Sequence, residues 1–225
     1  MTVVHPRAPT IYTEPDFRVR AAAALCHVPS ESVFDPRTGR AWARSDWDLN
    51  PEMLADFEVM APARAAAVLV PVIARPELTV LLTERTAHLS THAGQIAFPG
   101  GKVEATDIDA VDTALREAEE EIGLPRSIVE PLGFLDGYRT GTGFLVTPVV
   151  ALVKPDFVLA LDANEVASTF EVPLAFLMDE VNHKRHSRPW RGRERHYYAM
   201  PFGEHYIWGA TAGMLKNLHE RLYGG

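Results

Sequence analysis

The pattern of apolar positions divides the chain after about residue 60 into short strands and helices. Residues 65–73 and 78–83 are apolar and rich in β-branched side chains, and a turn around Pro76 separates them, which predicts a β-hairpin. Later apolar runs predict further strands at residues 132–135, 146–153 and 166–172. The remaining patterned segments are a helix at 173–181, a strand-and-loop region at 183–206 and a closing helix at 209–223. Strands separated by a few helices indicate an α/β (α+β) fold with a mixed sheet.

The clearest helical pattern covers residues 106–123. Thr106 and Asp107 are the predicted N-cap residues, and Gly123 followed by Pro125 predicts the end of the helix. At about 100° per residue, one apolar stripe runs along this helix and is expected to face the core. The stripe consists of Val111, Leu115, Ala118 and Ile122.

The first 60 residues have a different character from the rest. Helices are predicted at residues 16–28 and 51–60, and the intervening residues are rich in Pro, Ser, Asp and Arg, which is typical of irregular connections. We expect residues 1–60 to be an extension, partly helical, packed on a main domain of residues 61–225.

Composition narrows the classes of function. The chain has 225 residues, 47% of them hydrophobic, and a net charge of −8, so no broad basic surface is available for nucleic acid. It has a single cysteine, Cys26, and we see no signal peptide or membrane span. The expectation is a soluble cytoplasmic protein that binds neither nucleic acid nor membrane.

Three carboxylates, Glu117, Glu120 and Glu121, are predicted to lie together on the helix face opposite the apolar stripe. Like charges at this spacing repel one another, each pair by some tenths of a kcal/mol on an exposed helix. A divalent hard cation such as Mg²⁺ or Mn²⁺ would reverse this repulsion, because these ions prefer oxygen ligands. The alternative is a solvated acidic face.

The residues around these glutamates favour the metal site. Residues 116–124 read Arg-Glu-Ala-Glu-Glu-Glu-Ile-Gly-Leu, and Gly101 stands upstream. This segment resembles the box of the Nudix hydrolases, in which Arg-Glu is followed by an apolar residue, Glu-Glu and Gly-apolar. Arg116 stands fifteen residues after Gly101, one more than in the family pattern, and Asp107 or Ile108 replaces the upstream glutamate.

The resemblance implies a Nudix-type αβα sandwich and metal-dependent cleavage of a diphosphate bond. It implies that Glu117, Glu120 and Glu121 bind Mg²⁺ or Mn²⁺ and that Arg116 orients a glutamate by ion pairing. It also points to Glu165, on a loop just before a strand, as a further carboxylate of the site; an ordinary loop acid is the alternative. Glu117, Glu120 and Glu165 all remain candidates for the general base.

The segment before the helix points to a substrate. Residues 81–101 resemble the signature of the coenzyme A (CoA) diphosphatase branch of the family, although Ser90 stands where a basic residue is usual. The resemblance implies hydrolysis of CoA or acyl-CoA to 4′-phosphopantetheine and adenosine 3′,5′-bisphosphate. The predicted substrate contacts are Arg85, His92, Gly100, Gly101 and Lys102.

Three alternatives stay open. The substrate could be another nucleoside diphosphate derivative, such as ADP-ribose or NADH, or the chain could be a nucleotide-binding Nudix module without catalysis. The arginine-rich residues 185–195, interleaved with Trp190, could bind a nucleotide, form a homodimer contact or simply be solvated. Trp208 is interpreted as a core residue.

Overall fold

The structure, a computed structural model, describes residues 12–29, 44–45, 47–53, 63–87 and 94–224. Its α-helices are α1 (Glu14–Ala24), α2 (Ala110–Ile122), α3 (Leu174–Leu177) and α4 (Ala210–Leu222). Its strands are β1 (Arg44–Ser45), β2 (Arg64–Ile73), β3 (Thr79–Arg85), β4 (Ile96–Ala97), β5 (Gly100–Lys102), β6 (Val129–Phe134), β7 (Tyr138–Arg139), β8 (Phe144–Val153), β9 (Val166–Pro173), β10 (Lys184–Trp190), β11 (Arg193–Phe202) and β12 (His205–Trp208). Short 3-10 turns cover Pro51–Met53, Arg126–Ile128 and Glu180–Asn182.

A mixed sheet built around β2 forms the centre of the molecule. β2 pairs in parallel with β8 along its whole length, and it forms the predicted antiparallel hairpin with β3. The strand order is β1, β7, β8, β2, β3, β4, with β5, β6 and β9 paired to β2, β8 and β3. Because β2 and β8 are apolar on both faces, both faces of the sheet must be covered.

Helices cover the two faces of this sheet. Ala67 and Leu69 of β2 pack in an apolar cluster with α2. Val70 and Val72, which point to the other face, pack in a second cluster that includes residues of α1 and α4. The predicted fold, a mixed sheet between helices, is therefore confirmed.

The helix predicted at residues 106–123 is α2, but it begins later than predicted. Asp109, and not Thr106 or Asp107, is its N-cap residue, since the Asp109 carboxylate accepts a hydrogen bond from the amide of Asp112 at 2.8 Å. Several residues in this acidic stretch are of types that commonly cap helices. The Asp107 carboxylate is bound by Arg116 and Thr113 instead, so it does not cap α2.

The buried face of α2 also differs from the predicted stripe. Val111 and Leu115 are only partly buried, whereas the fully buried apolar residues of the helix are Ala110, Ala114, Ala118 and Ile122. Glu121 belongs to this buried face and is 3% exposed. The prediction that all three glutamates lie opposite the apolar stripe is therefore wrong for Glu121. The helix ends as predicted, with Gly123 in the left-handed conformation at φ 67°.

The N-terminal elements contact the core. The helix predicted at residues 16–28 is the shorter α1, whose Phe17 is fully buried. The 3-10 turn Pro51–Met53 occupies the start of the helix predicted at 51–60, and residues 54–60 lie outside the described residues.

The C-terminal half contains a second, smaller sheet. The region predicted as strand and loop at 183–206 forms β10 and β11, which pair antiparallel with each other and, through β11, with β12. The helix predicted at 173–181 is shorter than expected, because only Leu174–Leu177 is α-helical. No helix in the described ranges is long and apolar enough to cross a membrane.

Candidate active site

Two adjacent glycines of β5 bring the sheet and α2 close together. A Cβ on Gly100 would stand 2.6 Å from the Cα of Val68 in the neighbouring strand. A Cβ on Gly101 would overlap the carboxylate of Glu117 on α2. Only glycine leaves room at these positions, so the backbone of β5 lies directly against the glutamates of the helix.

Glu121 is the buried carboxylate of the site. Its Oε2 accepts a hydrogen bond from the amide of Gly100 at 3.0 Å, and its Oε1 lies 3.5 Å from Nη1 of Arg85. Burial raises the pKa of Glu121 to about 7, although both contacts favour the charged form. Desolvation thus raises the pKa of Glu121 by more than its two contacts lower it.

Arg116 connects four parts of the site. Its Nε and Nη2 donate to the two carboxylate oxygens of Asp107 at 2.8 and 3.0 Å. Its Nη1 donates to Glu117 and to Glu120, both at 3.0 Å. Nη2 also donates to the carbonyl of Lys102 at 3.1 Å, which ties α2 to β5.

Asp107, one of the two residues that could stand in place of the family's upstream glutamate, is a residue of the site. Its carboxylate is almost completely buried and accepts hydrogen bonds from Arg116, from the Thr113 hydroxyl and from the Glu104 amide. The Arg116 guanidinium holds the pKa of Asp107 well below its usual range. The segment between Gly101 and Arg116 is one residue longer than in the family pattern, yet it still brings a carboxylate to Arg116.

The other glutamates differ in exposure. Burial raises the pKa of Glu117, and repulsion from Glu120 and Glu165 raises it further, against the attraction of Arg116. Repulsion from Glu165 also raises the pKa of Glu121, so Glu165 lies near both helix carboxylates. The side chain of Glu120, in contrast, is 61% exposed.

These side chains open onto a cavity of about 750 Å³. This is within the range of roughly 300–1,000 Å³ typical of small-molecule sites. Of the predicted site residues, those that line it are Arg85, Gly100, Gly101, Lys102, Glu117, Glu121 and Glu165. Arg116 and Glu120 stand behind this lining and contact it through Glu117 and Lys102. His92 and Ser90 lie outside the described residues.

Arg85 is a basic residue of the cavity lining. Its side chain is 24% exposed, and its Nη1 lies 3.5 Å from Glu121. Within the described part of the chain its Nε is buried and has no hydrogen-bond partner. A buried donor without a partner costs roughly 1–3 kcal/mol.

The chemistry of the donors fits a divalent hard cation. Carboxylate oxygens are the ligands that Mg²⁺ and Mn²⁺ prefer, and mutual repulsion among Glu117, Glu120 and Glu165 favours a cation between them. As placed, no three Asp, Glu, His or Cys side chains in residues 12–224 that the structure describes are close enough together to hold a metal ion. Arg116 donates to one oxygen of Glu117 and to one oxygen of Glu120, so each carboxylate has a second oxygen for a metal.

Sequence patterns missed two aromatic residues of the cavity lining. Trp208, interpreted as a core residue, is only half-buried and lines the cavity. Trp47 from the N-terminal extension lines it too. Beside them lie Trp190, Arg188 and Arg195 of the small sheet, from the segment for which nucleotide binding stayed open, and alternation along β10 places Arg188 and Trp190 on one strand face.

Comparison with known proteins agrees with the motif. The NUDIX domain family matches residues 63–197. The chain is 39% identical over 175 residues to the "Uncharacterized Nudix hydrolase NudL" of Escherichia coli K12, covering 74% of this chain and 91% of that protein. The chain belongs to the Nudix hydrolase family, whose members generally use divalent metal ions.

Solved structures with a related fold are more distant. A Caenorhabditis elegans Ap4A hydrolase complex has a TM-score of 0.43 and 20% identity, covering 49% of this chain and 80% of the other. A MutT/nudix family protein from Enterococcus faecalis has a TM-score of 0.45 and 16% identity, covering 86% and 75%.

Proposed function

We propose that this Nudix hydrolase cleaves the diphosphate bond of CoA or acyl-CoA, giving 4′-phosphopantetheine, or its acyl form, and adenosine 3′,5′-bisphosphate. One observation carries the hydrolytic part of the proposal: three of the predicted carboxylates and the predicted arginine line the same cavity. These are Glu117, Glu121, Glu165 and Arg85. Carboxylates bind metal ions and accept protons, and a guanidinium binds phosphate.

In this proposal Glu117, Glu120 and Glu121 hold Mg²⁺ or Mn²⁺. The bound cation would supply neutralisation of charge on the diphosphate oxygens and acidification of a water molecule. Arg116 positions Glu117 and Glu120 through its two 3.0 Å hydrogen bonds and is itself fixed by Asp107. The rigid packing of α2 against the sheet keeps these positions constant.

The reaction consumes one water molecule. Its oxygen forms a new bond to one phosphorus, the bridging P–O bond breaks, and the departing phosphate keeps the bridging oxygen. A carboxylate must accept the proton that the water loses. Of the three candidates, Glu117 and Glu165 line the cavity, whereas Glu120 is largely exposed, which favours one of the first two.

The choice of CoA rests on the sequence of residues 81–101 and on the size of the cavity. Arg85 from this segment reaches Glu121 from the substrate side, and Gly100 and Gly101 allow close approach to the backbone. A cavity of about 750 Å³ accommodates a dinucleotide-sized ligand.

We also propose that residues 61–225 form the hydrolase domain and that residues 1–60 are an extension packed on it. The contacts of α1 with α4 and the parallel pairing of β1 with β7 support this division.

The decisive experiment is a substrate panel of CoA, acyl-CoA, ADP-ribose and NADH with Mg²⁺ or Mn²⁺, with products identified by mass spectrometry. Reaction in ¹⁸O-labelled water identifies the attacked phosphorus. We expect CoA and acyl-CoA to be hydrolysed fastest. If ADP-ribose or NADH is hydrolysed in preference to CoA, the CoA assignment is wrong, but the assignment as a diphosphate hydrolase stands.

A binding module without catalysis would behave differently. Glu120→Gln should abolish most turnover in a hydrolase, whereas a binding module would show no turnover before or after the substitution. The matched control is Glu119→Gln on the same helix, because Glu119 is exposed and pairs with Arg126 away from the cavity.

A further inference from the structure

Part of the cavity lining is built from aromatic rings and guanidinium groups. We call it the tryptophan–arginine wall; it consists of Trp47, Trp190, Trp208, Arg188 and Arg195. Its members come from the N-terminal extension and from all three strands of the small sheet. They meet only through the tertiary structure.

The rings and guanidiniums of this wall are stacked on one another. The guanidinium of Arg188 lies over Trp208, 4.7 Å from the ring centroid. The guanidinium of Arg195 lies 4.6 Å from the centroid of Trp47, which is tilted against Trp190 at 5.7 Å. For Arg188, stacking on Trp208 occupies one face of the guanidinium and leaves its N–H edges able to bind an oxyanion.

The two arginines also stand directly opposite each other. In the antiparallel register of β10 and β11, Arg188 pairs with Arg195. Directly opposed residues of an antiparallel pair lie close together on one face of the sheet, so both guanidinium groups belong to the same part of the cavity lining. Among the residues the structure describes, no carboxylate pairs with Arg188.

The first turn of α4 adds a third positive element. Gly209, Ala210 and Thr211 line the cavity beside Trp208, and α4 is long enough, at 13 residues, to have a developed dipole. The N-terminus of such a helix favours anions through its free amides. The described acids that line the cavity, by contrast, come from the loop after β5, from α2 and from the loop before β9.

The extension is anchored where it joins this wall. Asn50, fully buried, donates from Nδ2 to the carbonyl of His196 at 2.9 Å and accepts from the His196 amide at 2.7 Å. These two hydrogen bonds fix residues 47–53 on β11. Trp47 is thereby held 2% exposed against Trp190 and Arg195.

We propose that the tryptophan–arginine wall binds the adenine ring and the 3′-phosphate of the substrate's nucleotide half. The inference rests on the proposed function for the choice of substrate and adds which residues read it. The half-buried rings of Trp190 and Trp208 take the planar base, with Trp47 packed behind Trp190, and Arg188 takes a phosphate outside the diphosphate bridge. Residues 47–53 of the extension are, on this proposal, part of the substrate site.

The test measures binding without turnover. Calorimetry in the presence of a metal chelator compares adenosine 3′,5′-bisphosphate with adenosine 5′-monophosphate on the full-length chain. We expect the wild type to bind the bisphosphate about tenfold more tightly, since a hydrogen bond to a charged group contributes about that factor. Arg188→Met should remove this preference, lowering bisphosphate affinity about tenfold and changing monophosphate affinity less than about twofold.

Arg185→Met is the matched control. Arg185 is an exposed arginine of the same strand that does not line the cavity, and it should retain the wild-type preference. Equal losses in the two variants, or an unchanged preference in Arg188→Met, would overturn the proposal. Since Arg188 is exposed, neither substitution removes core packing.

A second variant tests the aromatic half. Trp190→Leu should weaken both nucleotides about tenfold, because base stacking contributes about this much, and should leave inorganic phosphate binding unchanged. If the folded Trp190→Leu variant keeps the wild-type affinity for both nucleotides, the adenine base does not bind at this wall.

The two proposals fail separately. If CoA is not hydrolysed but the bisphosphate preference depends on Arg188, the proposed reaction is wrong and the nucleotide site stands. If CoA is hydrolysed and its KM, compared with that of 3′-dephospho-CoA, is unaffected by Arg188→Met, the wall is wrong and the reaction stands.

Discussion

At the scale of single residues, two buried acids of the site have opposite electrostatic environments. Asp107 keeps its charge because the Arg116 guanidinium forms two hydrogen bonds to it, and its pKa is well below the usual range. Burial raises the pKa of Glu121 to about 7, since one amide and a distant guanidinium only partly replace its hydration. Both side chains are buried, so it is the partner that decides the direction of each shift.

Glu117→Gln tests the proposed metal ligand. The loss of one charged ligand should cost several kcal/mol of transition-state stabilisation, which lowers kcat/KM by roughly 100-fold or more. Steady-state kinetics with CoA and Mg²⁺ measures it, with Glu119→Gln as the control on the same helix. Activity of Glu117→Gln within twofold of Glu119→Gln would contradict the assignment.

Asp107→Asn tests the support of Arg116. Leaving the guanidinium without its charged partner should destabilise the fold by about 2–3 kcal/mol, measured by urea unfolding at neutral pH. The exposed pair of Glu130 and Arg18 provides the control, because Glu130→Gln should cost about 1 kcal/mol or less.

The same substitution has a defined pH dependence. An acid whose pKa is lowered on folding stabilises the native state above its unfolded pKa, near 4, and this stabilisation is lost as the pH falls through the lower folded value. The difference between wild type and Asp107→Asn should therefore be constant above about pH 5 and shrink below about pH 4. A difference that grows on acidification would exclude this ion pair as its cause.

At the scale of elements, the junction of β5 with α2 determines the geometry of the site. Gly100 lies against the backbone of β2, whereas Gly101 lies against the movable side chain of Glu117. Backbone cannot move aside without disturbing the sheet, but a carboxylate can rotate away. Two adjacent glycines thus serve different purposes: one permits the fold and the other leaves room for a functional side chain.

Alanine at each glycine separates these purposes. Gly100→Ala should destabilise the protein by about 2 kcal/mol or more, because its Cβ meets Ala67 and Val68 in the neighbouring strand. Gly101→Ala should remain nearly as stable as the wild type but lose activity roughly 100-fold, since Glu117 is displaced. Thermal unfolding and kinetics together measure both effects.

Gly137→Ala is the control for this pair, since its Cβ would meet the Leu145 side chain at 3.7 Å and the Val146 carbonyl oxygen at 3.9 Å, both ordinary contacts. Equal behaviour of Gly100→Ala and Gly101→Ala, in stability and in activity, would contradict the division.

At the scale of the whole molecule, the cavity joins a carboxylate wall to the tryptophan–arginine wall. The carboxylates repel one another, so the chain without metal carries electrostatic stress in its site. A ligand that binds only the native state transfers its binding free energy to stability. Stability should therefore depend on the divalent ion.

Mn²⁺ or Mg²⁺ should raise the unfolding temperature in a concentration-dependent way. At 100 times the dissociation constant the added stability is about 2.7 kcal/mol. Glu120→Gln should show a smaller increase at the same concentration, and a chelator should reverse it. Potassium chloride at equal ionic strength controls for screening; an identical increase with this salt would show that no specific metal site is involved.

The sequence by itself determined the elements of the main domain and their chemistry. Strand periodicity gave the β2–β3 hairpin and β8, because alternation and continuous apolar runs are local properties of the chain. The end of α2 at the left-handed Gly123 was predictable for the same reason, because a helix stop signal is also a local property. The motif at residues 116–124 identified the family, because it specifies residue types at fixed helical spacing.

Only the tertiary structure decided which side chains meet. Periodicity placed Glu121 on the polar face, but packing of Ala114 and Ala118 against the sheet rotates it into the core. Asp107 became part of the site because its carboxylate meets Arg116 across a turn, and not by matching the motif. The tryptophan–arginine wall unites residues from 47 to 208, whose contacts depend on how three separate segments pack. Local patterns cannot encode such contacts, because sequence spacing fixes faces within an element and not distances between elements.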